Sequence, residues 1–156
     1  HLHQLPITMF RFFTVYGPWG RPDMAPLLFS RAVLAGRPTQ VFNQGRMQRD
    51  FTHVSDIVAG ILGALSHPSS ATVPHQVFNL GNHTPIELEH FIGVIEQAAG
   101  VPAQKVYKPM QPGDMVRTMA DTTLARAAFG YEPRTPIEQG LPPVVAWCRE
   151  YFGDAA

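Results

Sequence analysis

The chain has 156 residues, of which 45% are hydrophobic, so it can bury a sizeable core and we expect one domain. Twelve basic and twelve acidic residues cancel, which argues against nucleic acid or an anionic membrane as a partner. No apolar run approaches the roughly 20 residues of a membrane helix, and the single Cys148 fits a reducing, cytoplasmic compartment.

The first half of the chain predicts strands and helices in alternation, bounded by glycine and proline. The predicted elements are a strand over residues 6–13 that is buried on both faces, a helix over 24–35, short strands over 39–42 and 48–52 around a turn, and a helix over 55–65.

The second half continues this alternation. Its predicted elements are a strand over 76–80, a helix opened by Thr84-Pro85-Ile86-Glu87 and stopped at Gly100, a short helix capped by Asp121 and closed by Gly130, and a last helix opened by Thr135-Pro136-Ile137-Glu138. Because Pro142 and Pro143 lack backbone donors, we expect them to kink the last helix or delay its start. Strands alternating with helices indicate an α/β fold.

Four polar side chains occupy positions that suit ligand binding. Thr14 ends the first predicted strand, where open α/β sheets place their ligands, and Arg21 follows in the adjoining loop. Arg49 and Asp50 lie in a strand otherwise made of Phe51, Thr52 and Val54, and Asp114 follows a proline and a glycine in a turn.

Each of these residues also has a purely structural interpretation. Arg49 can pair with the adjacent Asp50, Arg21 can form a solvated pair with Asp23, and Asp114 can simply satisfy its turn. Taken singly, the structural interpretation is favoured for each. The seven histidines are scattered without the spacing of metal ligands, so we expect no metal site.

Taken together and in order, the motifs resemble the extended short-chain dehydrogenase/reductase family of NAD-dependent nucleotide-sugar epimerases and dehydratases. The likeness covers nearly all of the chain, and residues 14–24 and 110–114 look like UDP-glucuronate 4-epimerases. The matching segments are residues 11–18, 48–51 with Val54 and Asp56, 78–81, 112–114, 120–121 and 129–133.

This resemblance implies an α/β fold, specifically the C-terminal part of a Rossmann-type enzyme, with the last strands of its sheet and its small substrate-binding lobe. Residues 1–156 would form the UDP-sugar-binding portion. The N-terminal half, which in the family binds NAD and supplies a Tyr-x-x-x-Lys base, is absent from this sequence. We therefore expect no catalytic residue in this chain and no activity from it alone.

The resemblance also implies a role for eight residues. These are Thr14 beside the sugar, Arg21 at the polar end of the substrate, Gln40 and Phe42 against the uracil, Arg49 on the diphosphate, Asp114 on the UDP-ribose, and Phe12 and Phe13 near the nicotinamide. Gln111 stands where many relatives have an arginine, so the diphosphate would depend more on Arg49.

The implied reaction is oxidation of the sugar at C4 by NAD, rotation of the 4-keto intermediate and hydride return to its other face. Related decarboxylases usually show N-T-Y/F-G-P-R-M where this chain reads T-V-Y-G-P-W-G-R, which favours an epimerase. The alternatives left open are a UDP-glucose/galactose epimerase, a UDP-glucuronate decarboxylase, and a non-catalytic module that binds a nucleotide or a protein. A homo-oligomer is also left open, because unpaired strand edges tend to associate.

Overall fold

The computed structural model describes residues 2–69 and 72–153, and the chain divides into two compact units. The first unit consists of His1–Val15, Asp50–Thr84 and Met119–Thr135, and the second of Tyr16–Arg49, Pro85–Thr118 and Pro136–Ala156. Composition alone predicted a single core, whereas buried apolar side chains occur in each of the two units.

The described residues contain eight strands, five helices and a 3-10 turn at Phe42–Gly45. In chain order they are β1 (Ile7–Phe12), β2 (Thr14–Tyr16), α1 (Ala25–Leu34), β3 (Pro38–Val41), β4 (Gln48–Arg49), β5 (Phe51–His53), α2 (Val54–Leu65), β6 (His75–Leu80), β7 (Ile86–Glu87), α3 (Leu88–Ala99), β8 (Gln104–Tyr107), α4 (Thr123–Phe129) and α5 (Ile137–Phe152).

The first unit is built on a parallel pair of strands. β1 and β6 pair in register from Ile7 opposite His75 to Phe12 opposite Leu80, and β2 pairs with β5. The helices α2 and α4 enclose an apolar cluster with β6. This cluster consists of Ile57, Phe78, Leu80, Ala125 and Tyr131.

The prediction that the first strand is buried on both faces is wrong for the described chain. Ile7, Met9 and Phe12 are 41%, 51% and 50% exposed. The reason is that β1 pairs only with β6 among the described residues, so one edge and much of one face have nothing packed on them.

The second unit is a three-helix layer with two small sheets. α1, α3 and α5 pack on one another, β3 pairs with β8 in parallel, and β4 pairs with β7 in antiparallel orientation. The side chains with almost no exposed surface come from all three helices. They include Leu27, Val33, Phe91, Ile95, Leu141 and Val145.

Three local predictions are corrected by the tertiary structure. The strands predicted over 39–42 and 48–52 do not pair with each other, since each has its own partner. Thr84 does not cap α3, because Ile86 is drawn into β7 opposite Arg49 and the helix begins at Leu88. The prolines at 142 and 143 lie inside α5 and do not delay its start at Ile137.

Other boundaries are confirmed to within one or two residues. α1, α2, α4 and β6 lie where the sequence predicts them. Gly100 and Gly130 end their helices with φ of 74° and 68°, in the left-handed region that glycine adopts without a steric penalty. Among residues 2–69 and 72–153, no helix combines the length and apolarity needed to cross a bilayer.

Candidate functional site

Arg49 is held in a fixed orientation at the end of β4. Its Nη2 donates to Asp114 Oδ1 over 2.6 Å, and its Nη1 donates to the backbone oxygen of Gln48 over 3.0 Å. The two charged side chains are 19% and 31% exposed, so the pair is half-buried and still reachable from solvent. A guanidinium held in this way keeps further N–H groups for a phosphate oxygen.

The turn that presents Asp114 follows from its sequence. Pro112 fixes one backbone torsion, Gly113 has a φ of 81°, and the Asp114 N–H donates to Gln111 O over 3.2 Å. This is the proline-then-glycine arrangement of a type II turn. Asp114 Oδ1 also accepts from the N–H of Met115 over 2.8 Å, which fixes the carboxylate that meets Arg49.

The strand that carries Arg49 is supported on both sides. Gln48 accepts from the N–H of Thr118 and donates its own N–H to Val116 O, while Arg49 lies opposite Ile86 of β7. This short mixed sheet brings the segment after the Asp114 turn alongside β4. The sequence alone did not predict it, because two-residue strands show no periodicity.

Gln40 and Phe42 line one groove of about 460 Å³ in the second unit. Thr39 also lines it, and its buried Oγ1 has no hydrogen-bond partner among the described residues. The remaining walls come from α1 and the start of β3. They are Ala25, Leu28, Phe29, Ala32 and Pro38. An apolar groove with a few polar groups is the usual environment of a flat heterocycle.

Arg21 pairs with its neighbour Asp23. Nε and Nη2 of Arg21 donate to the two carboxylate oxygens of Asp23, and both side chains are exposed. The hydrogen bond from Arg21 is the main cause that lowers the pKa of Asp23, and the same bond raises the pKa of Arg21. The structural interpretation of this pair as solvated is confirmed.

The residues predicted near the sugar and the nicotinamide belong to the first unit. The Thr14 N–H donates to Asp50 O over 3.1 Å, and the Phe13 N–H donates to Leu80 O over 3.2 Å. Phe12 is half exposed at the carboxyl end of β1. The roles of Thr14, Phe12 and Phe13 stay predictions.

Asp50 is a residue whose importance the sequence did not reveal. The interpretation of Arg49 and Asp50 as a pair is wrong. Asp50 is fully buried, and its oxygens accept backbone N–H groups from Asn82, His83 and Ala120. It also accepts the hydroxyl of Thr52 over 3.0 Å.

The Asp50 carboxylate explains the glycine that follows β6. A Cβ at Gly81 would overlap the Ala120 side chain and lie 3.1 Å from Asp50 Oδ2. Through these hydrogen bonds the carboxylate connects the segment after β6 and the segment before α4 to the start of β5. The sequence holds no local signal for this role, because the groups that donate to Asp50 come from separate segments of the chain.

Comparison with known proteins places the chain in a family. Residues 1–81, just over half of the chain, match the NAD dependent epimerase/dehydratase family. The chain belongs to this family, and the α/β fold predicted from the extended short-chain dehydrogenase/reductase motifs is confirmed.

Proteins named as UDP-glucuronate 4-epimerases are among the relatives. A probable UDP-glucuronate 4-epimerase of Rhizobium meliloti is 43% identical over 163 residues, which cover 94% of this chain and 48% of the relative. UDP-glucuronate 4-epimerase 1 of Arabidopsis thaliana is 40% identical over 166 residues, which cover 98% of this chain and 39% of the relative.

A solved structure shows the same likeness in three dimensions. The UDP-glucuronic acid 4-epimerase from Bacillus cereus, in complex with UDP-glucuronic acid and NAD, superposes with a TM-score of 0.85 at 30% identity. The match covers 94% of this chain and 46% of that enzyme. The chain thus spans about half the length of the relatives it matches, or less.

Proposed function

We propose that this chain is the C-terminal, UDP-sugar-binding portion of an NAD-dependent nucleotide-sugar epimerase, and that the complete enzyme acts on UDP-glucuronate at C4. The observation that carries the proposal is the half-buried Arg49, fixed by Asp114 in the same unit as the Gln40–Phe42 groove. A guanidinium for a diphosphate and a groove for a base are the contacts that a nucleoside diphosphate needs.

Arg21 and Arg49, which both belong to the second unit, suit different parts of such a ligand. Arg49 is fixed by a carboxylate and a backbone oxygen, so it can hold the diphosphate without moving. Arg21 lies on an exposed loop, and among the described residues its guanidinium pairs with Asp23 alone. An enzyme that inverts C4 must let the sugar turn while the nucleotide stays bound. A fixed contact from Arg49 to the diphosphate and an exchangeable contact from Arg21 to the sugar meet this requirement.

Arg21 is assigned to the carboxylate of the uronate. A bidentate guanidinium–carboxylate pair is already present with Asp23, and a substrate carboxylate has the same geometry. Exchange of one carboxylate for another keeps the guanidinium paired, and the exposed Asp23 carboxylate is then solvated by water. A neutral sugar offers no such exchange, which makes Arg21 the residue that selects uronates.

The first unit would meet the cofactor only at its edge. The exposed, apolar ring of Phe12, stacked on Phe10 at 6.1 Å, fits contact with a flat nicotinamide. The sequence contains no glycine-rich phosphate loop, so the rest of NAD would be held outside these 156 residues. When bound, NAD supplies the hydride acceptor and donor for C4. Thr14, which begins β2 two residues after Phe12, would contact the sugar.

A substrate panel tests the function. The complete protein that carries this chain is incubated with NAD and, separately, with UDP-glucuronate, UDP-glucose and UDP-galactose. We expect C4 epimerisation of UDP-glucuronate without release of CO2. Formation of a pentose would identify a decarboxylase, turnover of only the neutral sugars would identify a UDP-glucose/galactose epimerase, and binding without turnover would identify a non-catalytic module.

The variant Arg21→Gln makes the panel specific to the site. We expect it to raise the dissociation constant of UDP-glucuronate on the order of tenfold or more and to change that of UDP-glucose less than about twofold. Arg134→Gln is the matched control, since Arg134 is equally exposed and pairs with Glu132 two residues away. Equal losses for both sugars in Arg21→Gln would contradict the assignment of Arg21.

A further inference from the structure

The loop that carries Arg21 is attached to α5 by an aromatic cluster. The ring of Trp19 lies 5.1 Å from that of Trp147 and 5.3 Å from that of Tyr151. Trp147 and Tyr151 are one helical turn apart, and their rings stack at 5.2 Å with an interplanar angle of 20°. Trp19 therefore rests on a surface made by two rings of one helix.

The backbone of Trp19 has a conformation that is unfavourable without compensating contacts. Its φ is 63°, in the left-handed region that a bulky side chain rarely adopts. Trp19 is also 73% exposed, so burial in a core does not account for this conformation. The ring contacts of Trp19 with Trp147 and Tyr151 can offset the steric cost of this backbone conformation.

The same helix holds the start of the loop. Tyr16 is 2% exposed and its ring lies against Gly140, where a Cβ would overlap it. Gly140, Trp147 and Tyr151 are spaced by seven and four residues, so they lie along one face of α5. Two aromatic contacts on a single helix thus fix the chain at positions 16 and 19, just before Arg21.

We propose that Trp19 is a positioning residue for Arg21, and that its ring, seated on Trp147 and Tyr151, holds the guanidinium where it meets the carboxylate of a uronate. The inference rests on the proposed function, because it takes the substrate carboxylate as the partner of Arg21. A charged side chain on a free surface loop loses much of its binding energy to ordering, and attachment of the loop removes that cost in advance.

The test uses the complete protein with NAD bound. Trp19→Asn removes the ring but keeps a residue that tolerates the left-handed conformation, and Tyr151→Leu removes its partner on α5. Trp19→Phe keeps an aromatic ring and serves as the rescue. Leu124→Ala, a change at an exposed residue of α4, is the control. The dissociation constants of UDP-glucuronate and UDP-glucose are measured for each, together with the near-ultraviolet circular dichroism.

The dichroism reports the attachment directly. Trp19 and Trp147 are the chain's two tryptophans, and rings at 5.1 Å give a coupled signal. It is measured as the difference between the spectra of each variant and of the unchanged protein, so that tryptophans elsewhere in the complete protein cancel. We expect this signal to be lost in Trp19→Asn and reduced in Tyr151→Leu, and the affinity for UDP-glucuronate to fall on the order of tenfold and severalfold respectively. The affinity for UDP-glucose stays within about twofold in all variants, and Trp19→Phe recovers most of the UDP-glucuronate affinity.

Three results would overturn the inference. The first is an equal loss of affinity for both sugars, and the second is no loss for either. The third applies if Trp19→Asn fails to fold, because Tyr151→Leu then decides. A normal UDP-glucuronate affinity together with a reduced coupled signal in Tyr151→Leu would overturn the inference. Discrimination by Arg21→Gln without discrimination by these variants would leave the proposed function standing and remove Trp19 from it. Absence of discrimination in Arg21→Gln itself would remove the assignment of Arg21 and the role of Trp19 with it, while the substrate panel still decides the function.

Discussion

Arg49 and Asp114 lie 65 residues apart in the sequence, yet Arg49 Nη2 donates to Asp114 Oδ1 over 2.6 Å. The pair joins β4 to the turn that follows β8, two segments that share no regular element. Arg21 and Asp23, by contrast, are close only because they are neighbours in one loop. The long-range pair is therefore the one that joins distant segments of the chain.

Replacing Asp114 by Asn should affect binding more than folding. Exposed and half-exposed ion pairs contribute about 1 kcal/mol or less to stability, so the free energy of unfolding should change by no more than that. The affinity for UDP should fall on the order of tenfold, because the guanidinium loses the group that fixes it. Urea unfolding and calorimetric titration with UDP measure the two effects. A stability loss well above that limit with unchanged UDP affinity would make the pair purely structural.

Replacing Asp50 by Asn should destabilise the first unit strongly. Oδ1 accepts from Asn82 N and the Thr52 hydroxyl, and Oδ2 accepts from His83 N and Ala120 N. The side-chain amide nitrogen of Asn cannot accept a hydrogen bond. Whichever oxygen it replaces, the two groups that donate to that oxygen would face another donor. We expect a loss of about 2–4 kcal/mol in urea unfolding of the chain.

Asp121→Asn is the matched control for that experiment. Asp121 is exposed and accepts the N–H of Thr123 at the start of α4, a role that Asn fills nearly as well. Its free energy of unfolding should change by less than about 0.5 kcal/mol. If Asp50→Asn is as mild as this control, the network around Asp50 does not hold the unit together.

Two helix glycines should respond to alanine with opposite signs. In α5 the new Cβ of Gly140→Ala would overlap the ring of Tyr16, and we expect a net loss of about 1–3 kcal/mol. In α3 the new Cβ of Gly93→Ala meets nothing within 4 Å, so helix propensity alone should add about 0.5–1 kcal/mol. Thermal unfolding of both variants beside the unchanged chain measures the difference. Equal shifts would show that Tyr16 does not fit tightly against α5.

His53 should make the stability of the first unit depend on pH. Its Nδ1 accepts the N–H of Ser55 over 3.3 Å at the start of α2. Burial lowers the pKa of His53, and the charge of Asp56 opposes this to a smaller extent. The unfolded chain then binds a proton at higher pH than the folded chain does. The contribution of His53 is therefore complete above its unfolded pKa of about 6.5 and is lost as the pH falls below that value.

The variant His53→Asn isolates this contribution, because Asn caps a helix without titrating. Urea unfolding between pH 7.5 and pH 5, which brackets the ordinary histidine pKa of about 6.5, gives a stability curve for each protein. The unchanged chain should lose more stability than His53→Asn as the pH falls. Parallel curves would show that the imidazole does not act as the cap.

Long elements with clear boundaries could be predicted from the sequence. The helices α1 and α2 and the strand β6 follow from apolar patterning, and Gly100 follows from its place after an amphipathic run. Thr84-Pro85-Ile86-Glu87 shows where local reasoning ends. It has the residues of a helix start, but pairing of Ile86 with Arg49 draws it into β7. That partner is more than thirty residues away in sequence and leaves no local signal.

For the candidate site, the sequence points to individual residues and not to their contacts. Arg49 beside a strand that continues with Phe51 and Thr52, and Asp114 after Pro-Gly, can each be singled out from the sequence. Their pairing depends on the short sheet around Gln48, which has no periodicity to detect. The burial of Asp50 was hidden for the same reason, since its donors come from three separate segments.

The central claim is that Arg49 binds the diphosphate of a UDP-sugar. The most direct measurement is calorimetric titration of the complete protein with UDP and with UMP, for the unchanged enzyme and for Arg49→Gln. UDP should bind the unchanged enzyme about 10–100 times more tightly than UMP, and Arg49→Gln should reduce that ratio to a few-fold while the affinity for UMP changes little. A UDP-to-UMP ratio that is the same in both proteins would contradict the account.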